Sequence, residues 1–228
     1  MSGLYVYAVA EVGDGGDLGE GLAGEALEVL HAGPVSAVVG RMDRAPEPAP
    51  PALRAHDDVV RRLSARCPAL LPARFGSLAP DAEALRAALA DRAPEYAASL
   101  ERVRGREQMT VRIFTAEGPA TAGASADSGA GPDAGPGACY LAARAQDAGA
   151  AGIPGLPALL GRLAPFVAGE IVERHQAAPL VASVYHLVER DTSARYRDAL
   201  RAATEASPGL RAVASGPWPP YAFTSALA

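Results

Sequence analysis

The sequence predicts an α+β protein built as two small domains, and three observations carry that prediction. Strand-like and helix-like patterns alternate along the chain, but the connections are uneven and each half holds few strands, which argues against one doubly wound sheet. The 228 residues suit one large domain or two small ones. Two segments, 45–52 and 115–137, lack any core-forming pattern and read as passive connectors. The expected division is an N-terminal domain over 1–105 and a C-terminal domain over 106–228, joined by helices. The second domain would carry a mobile loop at 115–137 and a Pro-rich aromatic tail at 216–228.

Taken in order, Leu4–Ala10 (LYVYAVA) is rich in aromatic and β-branched residues and nearly unbroken in apolarity, as a central strand should be. Leu18, Leu22, Ala26, Val29 and Leu30 recur at helical spacing, and Gly33 stands where a C-terminal cap belongs, so a helix is expected there. Val35–Gly40 is a second strand. Residues 45–52 (APEPAPPA) should be an extended link, because four prolines remove donors and fix φ. Leu53, Val59, Val60 and Leu63 form one face of a helix ending near Cys67–Pro68. A further helix is expected over Asp81–Arg92. Another opens at Pro94, turns Tyr96, Leu100 and Val103 inward, and stops at Gly105.

In the second half, Gln108–Phe114 alternates as a strand. Residues 115–137 contain no Ile, Leu, Val, Met or aromatic residue, so they have nothing to bury against their ordering entropy. Leu156, Leu160, Leu163, Val167 and Ile171 form an amphipathic stripe that Pro165 should break or kink. Leu180–Glu189 is a strong strand. Thr192 or Ser193 caps a helix carrying Tyr196, Leu200 and Ala203, and Leu210–Ser215 is a short last strand before GPWPPYAF.

Composition narrows the function classes. All 21 basic residues are Arg, against 26 acids, for a net charge of −5, and no Arg-rich block stands out. With aromatics at 5%, the basic stripe and stacking platform of a nucleic-acid binder are missing. The longest uncharged stretch, 212–228, carries Pro217, Pro219 and Pro220, which a membrane-spanning helix would not hold, so no membrane association is expected. Glu11 and Asp14 interrupt the apolar N-terminus, which reads as a strand rather than a signal peptide, and a cytoplasmic protein is expected. Cys67 and Cys139 lack CxxC spacing and read as two buried thiols rather than a disulfide.

Catalytic constellations are scarce. His31 falls near the end of an expected helix. His56, Asp57 and Asp58 are consecutive on a helix, so they diverge rather than converge on one ion and read as a solvated face. Glu170, Glu173, Arg174 and His175 resemble a carboxylate–histidine set, yet Glu170 with Arg174 is the spacing of an i,i+4 ion pair. His186 is expected as a hydrogen-bonded, half-buried imidazole on a strand. The glycine-rich GDGGDLGEG carries Asp14, Asp17 and Glu20, which would repel phosphate. No catalytic residue, cofactor site or metal site is expected.

Two segments stand apart. LLPARFGS sets Pro72, Arg74, Phe75 and Gly76 between two expected helices, where the Arg suits either an anion contact or a corner that caps a helix C-terminus. GPWPPYAF concentrates Trp218, Pro219, Pro220 and Tyr221 with Phe223. A stiff aromatic segment either packs on its own domain or anchors a partner.

The order of these pieces resembles the GvpL/GvpF family of gas vesicle proteins. LYVYAVA, HDDVVRRL, LLPARFGSLAPD, LERVRGREQMTVRIF, CYLAAR (139–144), VASVYHLVER and GPWPPYAF carry the likeness from residue 4 to residue 223. The pairing of RFG with a distant GPWPPY is its most specific part. The resemblance implies ferredoxin-like elements in each half and a non-enzymatic role in gas vesicle assembly. It implies binding of the small hydrophobic shell protein, other gas vesicle accessory proteins as further partners, and a place with the vesicle. Its candidate structural or contact positions are Pro72, Arg74, Phe75, Gly76, Gly216, Pro217, Trp218, Pro219, Pro220 and Tyr221. The competing reading is a small-anion enzyme or a ligand-sensing module that uses Arg74 beside a helix start.

Overall fold

β1 (Gly3–Glu11) is buried on both faces along almost its whole length, so it must sit inside a sheet with layers on either side. It does so in a computed structural model that describes residues 3–13, 18–115 and 152–224. The chain divides into two compact units, Met1–Glu107 with Trp218–Ala228, and Gln108–Pro217.

In the first unit β1 pairs antiparallel with β3 (Val35–Met42) on one side. On the other side it pairs with β4 (Ala69–Pro72) and, further along, β5 (Leu78–Ala79). β2 (Leu27–Ala32) completes the order β2-β3-β1-β4. The β1–β3 register shifts between Val6 and Ala8, where Tyr7 is the extra residue of a bulge. The bulge lets Tyr5, Tyr7, Ala8 and Ala10 all enter one core cluster, which strict alternation would forbid.

The helix expected over 18–33 is not formed. Ala32 lies opposite Val35, and Gly33, at φ +65°, opens a two-residue hairpin loop with Pro34. Gly19, Gly21 and Gly24 would each cost a helix about 1 kcal/mol relative to Ala, whereas hairpin pairing buries Leu30 and Val35. His31 consequently lies on a strand, its Nδ1 2.9 Å from Ser36 Oγ.

The expected proline link ends at Ala49. Pro50 and Pro51 begin α1 (Pro50–Arg66), where a missing N–H would have had no helical partner in any case. α1 lays His56, Val59, Val60 and Leu63 on the sheet; truncating Leu63 to Ala would cost about 2–5 kcal/mol. α2 (Ala82–Asp91) starts at Asp81, whose carboxylate accepts from the Ala84 N–H at 2.8 Å. α3 (Ala93–Val103) buries Tyr96, Leu100 and Val103, with Pro94 in its first turn.

The second unit runs β6 (Arg106–Thr115), α4 (Leu156–Leu163), a 3-10 turn at Ala164–Phe166, β7 (Gly169–Arg174), β8 (Leu180–Glu189), α5 (Ser193–Glu205) and β9 (Leu210–Trp218). Its sheet has the order β7-β8-β6-β9. Met109, Val111 and Ile113 of β6 meet Leu156, Leu159 and Leu163 of α4 and Tyr196 and Leu200 of α5 in the core. The expected stripe from Leu156 to Ile171 divides at Pro165, and Ile171 belongs to β7. Thr192 is the N-cap of α5, but its hydroxyl donates to the Glu189 carbonyl at 2.6 Å rather than capping the helix. β9 runs to Trp218, beyond the short strand expected. The loop expected at 115–137 lies outside the described residues after Thr115, as do Cys139 and 139–144; Cys67 is buried.

Candidate functional site

The segments that stand apart in the sequence come together on α1 in the first unit. Its inner face carries His56, which is 4% exposed. The Tyr5 hydroxyl lies 3.0 Å from His56 Nδ1, and the Gly76 N–H donates to the same hydroxyl at 3.0 Å. The phenol oxygen thus accepts from the backbone while its O–H donates a hydrogen bond to the imidazole nitrogen. The Ala73 carbonyl faces the other side of the imidazole. Rings enclose the network: His56 stacks on Tyr7 with centroids 5.6 Å apart, and Phe75 meets His56 and Tyr5 edge-on at 5.6 and 6.4 Å. Burial holds the His56 pKa below its ordinary value, so the ring is neutral at pH 7. Burial also raises the Tyr5 phenol.

The Arg74-Phe75-Gly76 segment is therefore a turn between β4 and β5, not a corner between two helices. Ser77 N–H closes it onto the Arg74 carbonyl at 3.1 Å, and Gly76 adopts φ +87°. Pro72 ends β4 and is buried. Arg74 caps no helix. It is exposed, and its guanidinium meets no hydrogen-bond or ion-pair partner among the described residues. The start of α2 already holds the Asp81 carboxylate, which weighs against a small anion shared there with Arg74.

The other flank of α1 receives the C-terminal segment. The Tyr221 hydroxyl donates to Asp57 Oδ1 at 2.7 Å, and Arg61 Nε reaches Asp57 Oδ2 at 2.6 Å. The Arg61 guanidinium lies 4.0 Å from the centre of the Trp218 ring. Pro219 and Pro220 are buried, and Phe223 is 2% exposed with Arg102 over its ring. Burial, then the bond to Asp57, raises the Tyr221 phenol well above its usual range. Trp218–Phe223 thus belong to the N-terminal unit, not to the C-terminal domain with which the sequence groups them, because their apolar partners are on that unit. Of the three residues expected on a solvated face, His56 is instead a core residue and Asp57 is half-buried in an ion pair with Arg61, while Asp58 is exposed.

Residues 18–26, glycine-rich in sequence, are held by Tyr7. Its hydroxyl accepts from the Leu22 N–H at 2.8 Å and donates to Glu25, whose other oxygen accepts from the Ala23 N–H at 2.9 Å. Arg62 donates to the Glu20 carbonyl from the outer side of α1. An open depression of about 770 Å³ between 23–25 and 41–47 includes none of the motif residues.

In the second unit, Glu170, His186 and Tyr196 form a line missed in the sequence because β7 reads there as helix. His186 Nε2 lies 2.8 Å from Glu170 and Nδ1 lies 2.6 Å from the Tyr196 hydroxyl. A carboxylate only accepts, so in the neutral ring the proton sits on Nε2 and the phenol donates to Nδ1. Glu170 therefore serves His186 and not Arg174, while Glu173 accepts from Tyr185 at 2.8 Å and His175 meets Ser183 at 2.8 Å. His186 and Tyr196 are fully buried. The line ties α5 to β8 and β7. Burial raises the Tyr196 phenol strongly, and the Tyr185 phenol, also bonded to Glu173, is pushed up to about 12.

Among the described residues no three His, Cys, Asp or Glu side chains gather as metal ligands, and no helix is long and apolar enough to cross a membrane. The family described as gas vesicle synthesis protein GvpL/GvpF matches residues 3–225. The chain belongs to the GvpL/GvpF family. Gas vesicle protein L from Streptomyces sp. (strain CB03234) is 30% identical over 96% of this chain and 91% of its own length. The fold is similar to the crystal structure of gas vesicle protein GvpF from Anabaena sp. PCC7120, with a TM-score of 0.73 at 15% identity, covering 99% of this chain and 97% of that one. GvpF from Microcystis aeruginosa gives a TM-score of 0.70 at 13% identity over 99% and 100% of the two chains. Read within this GvpL/GvpF fold, the residues singled out in the sequence are mostly interior supports. Pro72, Phe75 and Gly76 build a turn, and Trp218, Pro219, Pro220 and Tyr221 dock a segment. Arg74 alone among them is exposed without an ion-pair partner among the described residues.

Proposed function

We propose that this chain is a non-enzymatic accessory protein that takes part in gas vesicle assembly by binding the small hydrophobic shell protein, within the cytoplasm and in association with the vesicle. Membership of the GvpL/GvpF family across residues 3–225 is the observation that carries the reading. The chemistry is compatible with it: the buried imidazole of His56 is packed among rings with its Nδ1 beside the Tyr5 hydroxyl, and that of His186 lies between Glu170 and Tyr196. A shell subunit that must not self-associate early needs a soluble partner with apolar surface to offer. Further gas vesicle accessory proteins are the second class of partner.

The test is co-purification of the tagged chain with the shell protein, with and without residues 216–228. Capture of the shell protein by the full chain is expected. Truncation should weaken capture through loss of the folded N-terminal unit, visible as a lower melting temperature. A full chain that stays folded and retains no shell protein, under conditions that keep that protein soluble, overturns the reading.

A further inference from the structure

We infer that Leu53, Arg74, Phe75 and Leu78 form a docking patch for an apolar protein segment bearing a carboxylate. On the reading above, the shell protein supplies that segment.

The first support is the rigidity of the turn. The Gly76 N–H is held by the Tyr5 hydroxyl, that hydroxyl is tied to the buried His56, and Phe75 is wedged against both rings. A residue on such a turn loses little freedom when a partner arrives. The second support is charge. Elsewhere in the same unit Arg41, Arg61, Arg92 and Arg104 each meet a carboxylate. Arg74, like Arg44, Arg54 and Arg86, meets none among the described residues, and of these it is the one carried by the turn that Tyr5 and His56 hold. Its planar fork matches a carboxylate in two-point contact.

The third support is apolar surface at the same place. Leu53 and Leu78 are 43% and 40% exposed, and they are the large exposed hydrophobics of this unit among the described residues. Leu78 stands opposite Tyr5 in the β1–β5 ladder, so both side chains project from one face of the sheet. That is the face on which Tyr5 meets His56 and Phe75. Leu53 precedes His56 by one helical turn on α1 and shares its side. Two leucines, a half-buried phenylalanine and an arginine unpaired among the described residues suit an aliphatic segment with an acidic residue better than a free anion or a nucleic acid.

The probe is an array of overlapping peptides covering the shell protein sequence, each also made with Asp and Glu replaced by Asn and Gln. It is read with the full chain, Arg74→Gln, Leu78→Ser and, as a control in the other unit, Val213→Ser. Melting temperatures should match, since the Arg74 side chain has no partner to lose among the described residues and Leu78 is 40% exposed. The expected result is binding of an acidic apolar peptide that falls about tenfold or more with Arg74→Gln and with Leu78→Ser, but not with Val213→Ser. The amide form of that peptide should bind wild type and Arg74→Gln equally weakly, which identifies the carboxylate as the partner of Arg74. If the peptides, or the intact shell protein, bind Arg74→Gln and Leu78→Ser as tightly as wild type, the patch is overturned while shell binding stands. If wild type binds neither the peptides nor the intact shell protein, both fall together.

Discussion

The Tyr5–His56–Gly76 network makes quantitative claims about single side chains. At φ +87° Gly76 has open space where a Cβ would stand, so Gly76→Ala is a backbone penalty without a clash. It should lower unfolding free energy by about 1–2 kcal/mol in urea titration, with Gly76→Asn costing less. His56 adds a pH dependence. Its folded pKa lies below the ordinary value of about 6.5, so below that pH the unfolded chain binds a proton that the folded chain resists. Stability is therefore held above about pH 6.5 and lost as pH falls through the range beneath it. Between pH 7.5 and 5.5 the wild type should lose more stability than His56→Gln, by about 1 kcal/mol. Equal losses would show that the folded protein admits the proton freely. The segment around Gly76 stands out in the sequence, but as an anion contact or a helix-capping corner between two helices rather than as the turn between two strands that it forms. The role of His56 was not legible, because its partner Tyr5 lies 51 positions away and nothing local signals the bond.

At the level of elements, the C-terminal segment is held by a bond that can be removed singly. Tyr221→Phe keeps the ring and deletes the donor to Asp57, leaving Asp57 with Arg61. It should cost about 1 kcal/mol and speed proteolysis beyond residue 216, whereas Tyr221→Ala should do more of both. The elements also show where pattern reading succeeds. α1 is long and periodic and packs as its spacing predicts, while β1 and β8 are legible as long, nearly continuous apolar runs that are buried along most of their length. β2 misled because Leu22, Ala26, Val29 and Leu30 match a helical face, while the decisive signal was the Gly33-Pro34 pair closing a hairpin. β4 is four residues long and directly follows Pro68, too short for a period to emerge. β7 carries Glu170, Glu173 and Arg174 at spacings that mimic a helical ion pair, and only pairing with β8 reveals the partners as His186 and Tyr185.

Considered whole, the N-terminal unit is discontinuous in sequence. The chain leaves it after Glu107, builds the second unit, and returns at Trp218. A fragment ending at residue 107 lacks Tyr221 and Phe223 and leaves α1 and α3 with uncovered apolar surface. Such a fragment should be less stable than the same unit in the full chain by about 2–4 kcal/mol, from one buried aromatic plus one bond to a carboxylate. A synthetic 216–226 peptide added in excess should restore part of the loss, detectable as a rise in melting temperature with peptide concentration. The sequence favoured a boundary near 105 because Gly105 ends a helix there, but no local pattern says that a tail more than a hundred residues later returns to the first unit. The returning segment also carries Trp218, the chain's single tryptophan, seated under the Arg61 guanidinium. Its fluorescence is consequently an intrinsic reporter: a red shift and easier quenching announce release of the tail without any label, and a partner that displaces the tail can be told from one that leaves it seated by the colour of the emitted light alone.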